Sequence, residues 1–165
     1  MSDPVIVEIE IAASADAVWR ALRDPAEIRR WFGWEYDEHG GLDEEIQVIF
    51  FQESTADDDA RVLDGGPGGV IALEDRGDST VVRVTRAAPA GSWDGVYDEV
   101  NEGWLTFFQQ LRFYLERHPG QERRTEHVAI GGEEWFRTEN QVGTVREDGS
   151  LVIRSRERVI VSEYR

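Results

Sequence analysis

The stretch that decides the fold is VIVEIEI at residues 5–11, followed by SADAVWRALRDPAEIRRW at residues 14–31. Val5, Val7, Ile9 and Ile11 alternate with Ile6, Glu8 and Glu10, so one face is apolar and the other mostly charged. That alternation is the pattern of a half-buried antiparallel strand. Ser14 stands where an N-cap belongs, and Asp16 follows in the first turn, where the helix dipole favours a negative charge. Ala17, Val18, Ala21 and Leu22 form a helical stripe flanked by Trp19. Asp24 opens a second helix with Pro25 at its first position, and Glu27 stands where it can complete a capping box. Ile28 and Trp31 are the inward residues of that helix, and Gly33 lets the chain leave.

Outward from this start the pattern turns β. Residues 45–52 read as a strand carrying Ile46, Val48 and Phe50, residues 55–59 as an acidic loop, and residues 60–63 as a short strand. DGGPGG at 64–69 is turn chemistry. Residues 70–74 and 80–86 flank Asp75-Arg76-Gly77-Asp78 as a hairpin. Apolar residues from 96 to 117 then recur in steps of three and four, which predicts a helix about 30 Å long. Arg117 and His118 suit its negative end, and Pro119-Gly120 stops it. The tail reads as strands at 126–130, 134–138, 141–146 and 151–161, with Asp148-Gly149 as a two-residue hairpin turn.

Composition narrows the chemistry. The 165 residues suit one domain, and 40% hydrophobic content with six Trp, seven Phe and four Tyr is enough for a core. The net charge of −16 repels phosphate backbones and anionic membrane surfaces, so no nucleic-acid partner is expected. All 18 basic residues are Arg. Without Lys there is no Schiff-base chemistry, and without Cys there is no disulfide or thiolate nucleophile. The start, MSDPV, is no signal peptide and no apolar run suits a membrane span, so a cytoplasmic protein is expected. His39, His118 and His127 lack zinc-site spacing, and Asp57-Asp58-Asp59 lacks the spaced ligands of a calcium loop. No metal and no cofactor are expected.

The order of strand, two short helices, antiparallel strands and one long helix is that of a helix-grip α+β fold. The sequence resembles the START-like (SRPBCC) superfamily, which includes the birch-allergen-like proteins. Within it, the nearest branch is that of the activator of the heat-shock-protein-ninety ATPase. The resemblance rests on the strand at 5–11, ASADAVWRAL at 13–22, Asp24-Pro25 through Trp31, and Asn101-Glu102-Gly103-Trp104 with Gln110-Leu111 in the long helix. It implies a curved antiparallel sheet around the long helix, with a START-like domain over residues 1–120. Residues 121–165 continue beyond the family's usual end. They are expected to form a β-rich extension that packs on the same domain, most simply by adding to its sheet edge, or on a partner chain as a homodimer.

The resemblance also implies an internal cavity for a hydrophobic small molecule or lipid, in a non-enzymatic protein. Its candidate lining is Trp31, Phe50, Val84, Tyr97, Trp104, Phe107, Phe108 and Leu111. The nearest branch implies a second reading, a chaperone-associated or stress-response interaction protein whose acidic surface meets a basic partner. A third is a polyketide cyclase or dehydratase, for which no catalytic residue can be carried over. Cutting the chain after Gly120 is expected to expose a packing surface and lower stability. A truncated chain that stays monomeric, soluble and as stable as the whole in urea denaturation would remove every packing role for the tail.

Overall fold

The computed structural model describes residues 5–36, 40–66, 69–86, 99–129, 142–154 and 158–165. The strand β1 (Val5–Ile11) leads into α1 (Ala15–Arg23), whose N-cap Ser14 accepts from the Ala17 amide at 3.1 Å. Asp24 caps α2 (Pro25–Arg29) by accepting from the Ala26 amide at 2.9 Å. Glu27 does not close a capping box. Its carboxylate turns to the Tyr114 hydroxyl, which donates to it at 2.6 Å, and to Arg30 at 3.4 Å.

Residues 45–52 are not a strand. The chain forms α3 (Gly41–Gln47) and runs straight on into a π-helical turn, Val48–Gln52. Leu42, Ile46 and Phe50, each at most 1% exposed, are spaced by four residues, so the alternation of Ile46, Val48 and Phe50 was half of a helical stripe. Asp43 and Glu44 stand in the first turn, as the helix dipole favours.

Strands β2 (Thr55–Asp57), β3 (Val62–Asp64), β4 (Val70–Asp75) and β5 (Thr80–Thr85) follow. The segment read as an acidic loop thus begins as β2, paired antiparallel with β3. The β4–β5 hairpin closes where Asp75 Oδ1 accepts from the Gly77 amide at 2.8 Å. The order β1-β5-β4-β3-β2 makes one five-stranded antiparallel sheet. The long helix α4 (Glu99–Arg117) packs on it through Phe108, Leu111 and Leu115, against Val7 and Ile11 of β1 and Val82 and Val84 of β5. This is an α+β helix-grip arrangement with a further C-terminal sheet. Among the described residues, no helix is long and apolar enough to cross a membrane.

That further sheet contains β6 (Arg123–Ala129), β7 (Val142–Val145), β8 (Leu151–Arg154) and β9 (Arg158–Tyr164), in the order β6-β9-β8-β7. Among the described residues, the tail therefore does not add to the first sheet's edge but builds a sheet of its own. Residues 151–161 split into two strands. The β7–β8 turn spans 146–150 rather than two residues, with Gly149 at φ 88° and Asp148 Oδ1 accepting from the Ser150 amide and hydroxyl. The expected strand at 134–138 lies outside the described residues. The inner face of the new sheet presents Leu151 and Ile153 to Phe113, on the side of α4 opposite Phe108 and Leu111. Helix α4 thus lies between two sheets.

A buried guanidinium fastens these layers. Arg123 at the start of β6 donates from Nη1 to the Trp31 and Gly33 carbonyls at 2.9 and 3.2 Å. Its Nη2 donates to the Arg29 and Phe32 carbonyls at 3.0 and 2.6 Å. Gln110 of α4 donates to the same Trp31 and Gly33 carbonyls, and the Tyr164 hydroxyl donates to that of Arg30. These are the carbonyls that α2 and its exit turn leave without intrahelical partners. Burial pulls the Arg123 pKa down to about 10, so the group is charged at neutral pH; Nη1 and Nη2 meet carbonyl dipoles, and the buried Nε has no hydrogen-bond partner among the described residues. Arg123→Met leaves the Arg29 and Phe32 carbonyls without this donor and the Trp31 and Gly33 carbonyls with Gln110 alone. We expect it to cost about 3 kcal/mol in urea denaturation; a loss below about 1 kcal/mol, the worth of a single ordinary hydrogen bond, would contradict the anchoring role.

Candidate functional site

Between α3, its π-helical extension, the N-terminal half of α4 and the first sheet lies a pocket of about 610 Å³, partly open to solvent. That is the size of a small-molecule site. The π-helical turn shapes one wall. Its wider backbone lets Ile49, Phe50, Glu53 and Ser54 all line the pocket, together with Glu45 one turn earlier. Arg23 donates from Nη1 to the Phe50 carbonyl at 2.8 Å and lies over the Phe51 ring, which holds this turn from α1. Helix α4 supplies Gly103, Trp104 and Phe107, and Leu63 and Ile71 close the sheet side.

The wall is largely aromatic. Phe32 packs edge-on to Phe50 and Phe107, with centroids 5.1 and 4.8 Å apart, and Phe50 meets Trp104 edge-on at 6.5 Å. Trp34, also on the lining, stacks on His127 at 4.1 Å with 9° between the rings, and Arg158 lies 4.9 Å over the Trp34 ring. Register places His127 and Arg158 on one face of the second sheet, since His127 pairs with Ile160 and Ala129 with Arg158. The tail therefore brings a cation to the pocket.

Three polar groups, Glu45, Glu53 and Ser54, also line the pocket. Glu45 is half-buried and accepts a very short hydrogen bond from the Tyr36 hydroxyl. Burial first, and then this hydrogen bond to Glu45, raise the Tyr36 pKa, so Tyr36 remains a donor. Glu53 is exposed, and the buried Ser54 Oγ has no hydrogen-bond partner among the described residues.

Of the residues singled out from the sequence, Phe50, Trp104 and Phe107 line this pocket. Trp31, Val84, Phe108 and Leu111 lie behind it, fully buried in the core. Trp31 donates from Nε1 to the Ala21 carbonyl at 2.7 Å and stacks on Phe108. Tyr97 and His39 lie outside the described residues. Sequence reasoning missed Glu45 and Ile49 because it took residues 45–52 for a strand, and with them Glu53 and Ser54, which follow that segment. Their signal was the spacing of four between Glu45, Ile49 and Glu53. Arg158 carried no local signal.

Fold and pocket together define an α+β helix-grip chain with an apolar, aromatic-walled cavity. No protein-family model matches the chain, and no curated protein matches it. Among solved structures it is similar to the crystal structure of DynU16, a protein of the dynemicin biosynthetic locus. The identity is 16% and the TM-score 0.41, over 94% of this chain and 84% of that one.

His127 provides a direct check of the pocket's tail side. Burial, and then the Arg158 guanidinium, hold its imidazole below the usual 6.5, and its buried Nε2 has no hydrogen-bond partner among the described residues. The unfolded chain therefore takes up this proton at a higher pH than the folded one. His127 contributes stability above pH 6.5 that is lost as pH falls toward its folded pKa. An NMR titration should show the His127 ring changing state below pH 6.5; a midpoint at or above that value would contradict the stacked, dehydrated position.

Proposed function

We propose that this chain is a START-like protein that encloses a hydrophobic small molecule. In this reading residues 121–165 belong to the same domain and complete its binding site. The observation that carries the reading is the pocket of about 610 Å³ with Phe32, Phe50, Trp104 and Phe107 on its walls. Well-packed interiors hold few voids larger than a water molecule, whereas apolar clefts of this size that carry a few polar groups are ordinary ligand sites. Binding in such a site comes from removing the ligand's apolar surface from water, at roughly 25 cal/mol per Å² before the costs of association. The polar groups on its lining would orient the ligand, not react with it.

Gly103 offers the test. It lies in α4 on the pocket wall, and a Cβ there would approach the Phe107 ring at 3.4 Å. Gly103→Leu fills space in the pocket while removing a helix-weakening glycine, a change worth up to about 1 kcal/mol in the helix's favour. The neutral solvatochromic dye Nile red should bind the wild-type protein with a blue-shifted emission. The variant should bind it about tenfold more weakly or worse without a lower melting temperature, tenfold being about 1.4 kcal/mol of lost binding. Dye binding that is absent in the wild type, or unchanged in the variant, would refute the cavity as the binding site.

A further inference from the structure

The lining of the pocket carries one cation, Arg158, and two carboxylates, Glu45 and Glu53. Arg158 lies over Trp34 at the tail side. On the α3 side Glu45 is half-buried, with its Oε2 taken by the Tyr36 hydroxyl and its Oε1 without a protein donor among the described residues. No Arg reaches Glu45 or Glu53 in an ion pair among the described residues, although Arg29, Arg30, Arg61, Arg76 and Arg83 all pair with carboxylates elsewhere. A carboxylate facing an apolar pocket loses part of its hydration, and a cation brought beside it offsets that loss. The aromatic faces of Phe32, Trp104 and Phe107 favour the same sign of charge, because the π-face of an aromatic ring is electronegative. The buried Ser54 Oγ, unpartnered and on the same wall, can accept a further N–H.

Resting on the ligand-binding reading above, we propose that the pocket selects an apolar amine. Its protonated nitrogen sits at Glu45, and its ring or chain fills the aromatic walls. A neutral alcohol of the same shape can donate one hydrogen bond to Glu45 but leaves the carboxylate's charge without a counter-ion. An anion of the same shape meets like charge at Glu45 and Glu53 against the one lining cation Arg158, in a chain whose net charge is already −16. The π-helical turn belongs to this selectivity. It carries the line from Glu45 through Ile49 onto Glu53 and Ser54, so the polar end of the pocket is built by one continuous segment.

A matched series separates this inference from the reading on which it rests. Calorimetric titration of the wild-type protein with 1-naphthylmethylamine, 1-naphthylmethanol and 1-naphthoate presents one apolar body with positive, neutral and negative heads. The amine should bind about tenfold or more tighter than the alcohol, as expected for a charge-assisted hydrogen bond against a neutral one, and the acid weakest. In Glu45→Gln, which keeps an acceptor for Tyr36, the amine's advantage should disappear while the alcohol's affinity is unchanged. Alcohol or acid binding as tightly as the amine overturns the amine preference and leaves the ligand cavity standing. An equal loss for all three compounds in Glu45→Gln assigns Glu45 a packing role and overturns the proposal as well. Binding of none of them, with Nile red also excluded, refutes both readings. The wild-type series reads the selectivity even where the variant folds poorly.

Discussion

The structure depends on how the chain satisfies the carbonyls between Arg29 and Gly33. They end α2 and the turn behind it, and they are buried beneath later parts of the chain. A buried acceptor without a donor costs on the order of 1–3 kcal/mol, so such a turn can exist only where donors arrive from elsewhere. They arrive from far along the chain: Arg123 supplies four hydrogen bonds, Gln110 two and Tyr164 one. The planar fork of a guanidinium, with five N–H groups, suits several carbonyls at once in a way that a lysine ammonium does not. One turn thereby ties α2 to α4, β6 and β9.

The layering follows from that tie. Once β6 and β9 are held at the turn, their sheet lies over α4, and the helix must be apolar on two sides. Phe108, Leu111 and Leu115 serve the first sheet, and Phe113 meets Leu151 and Ile153 of the second. Tyr164 packs against both clusters, stacking on Tyr114 and on His118. The same placement carries Arg158 and His127 to Trp34. The pocket is thus composite, with its floor and walls from residues before Arg117 and its cation, Arg158, from the tail. The π-helical turn, pinned through the Phe50 carbonyl by Arg23, lies between its two lining carboxylates, Glu45 and Glu53.

Reading the elements back onto the sequence shows where local pattern is sufficient. The alternation at 5–11, the caps at Ser14 and Asp24, the hairpin around Gly77 and the three-and-four spacing up to Arg117 all describe real elements, because each is set by backbone geometry and by one apolar face. The segment 45–52 shows where pattern fails. Ile46, Val48 and Phe50 satisfy a period of two, while Leu42, Ile46 and Phe50 satisfy a period near four. Over so few residues the two cannot be told apart without the partner surface. Four of the eight candidates, Trp31, Val84, Phe108 and Leu111, lie in the core rather than on the pocket, because helical spacing gives the direction of a side chain but not whether another side chain or a void stands opposite it.

The sequence by itself determined the helix-grip order, the strand and helix ends marked by capping and turn residues, and the chemistry excluded by the lack of Lys and Cys. These follow from interactions within a few residues or from composition alone. Only the tertiary structure decided that β6, β7, β8 and β9 form a second sheet over α4. It alone placed an arginine there to serve a turn some ninety residues upstream, with a carbonyl partner as distant as 94 residues. It also decided that Glu45 and Arg158 line one cavity. Those outcomes depend on contacts between segments far apart in the chain, where an orphaned carbonyl or an unfilled space acquires its partner only once both segments are in place.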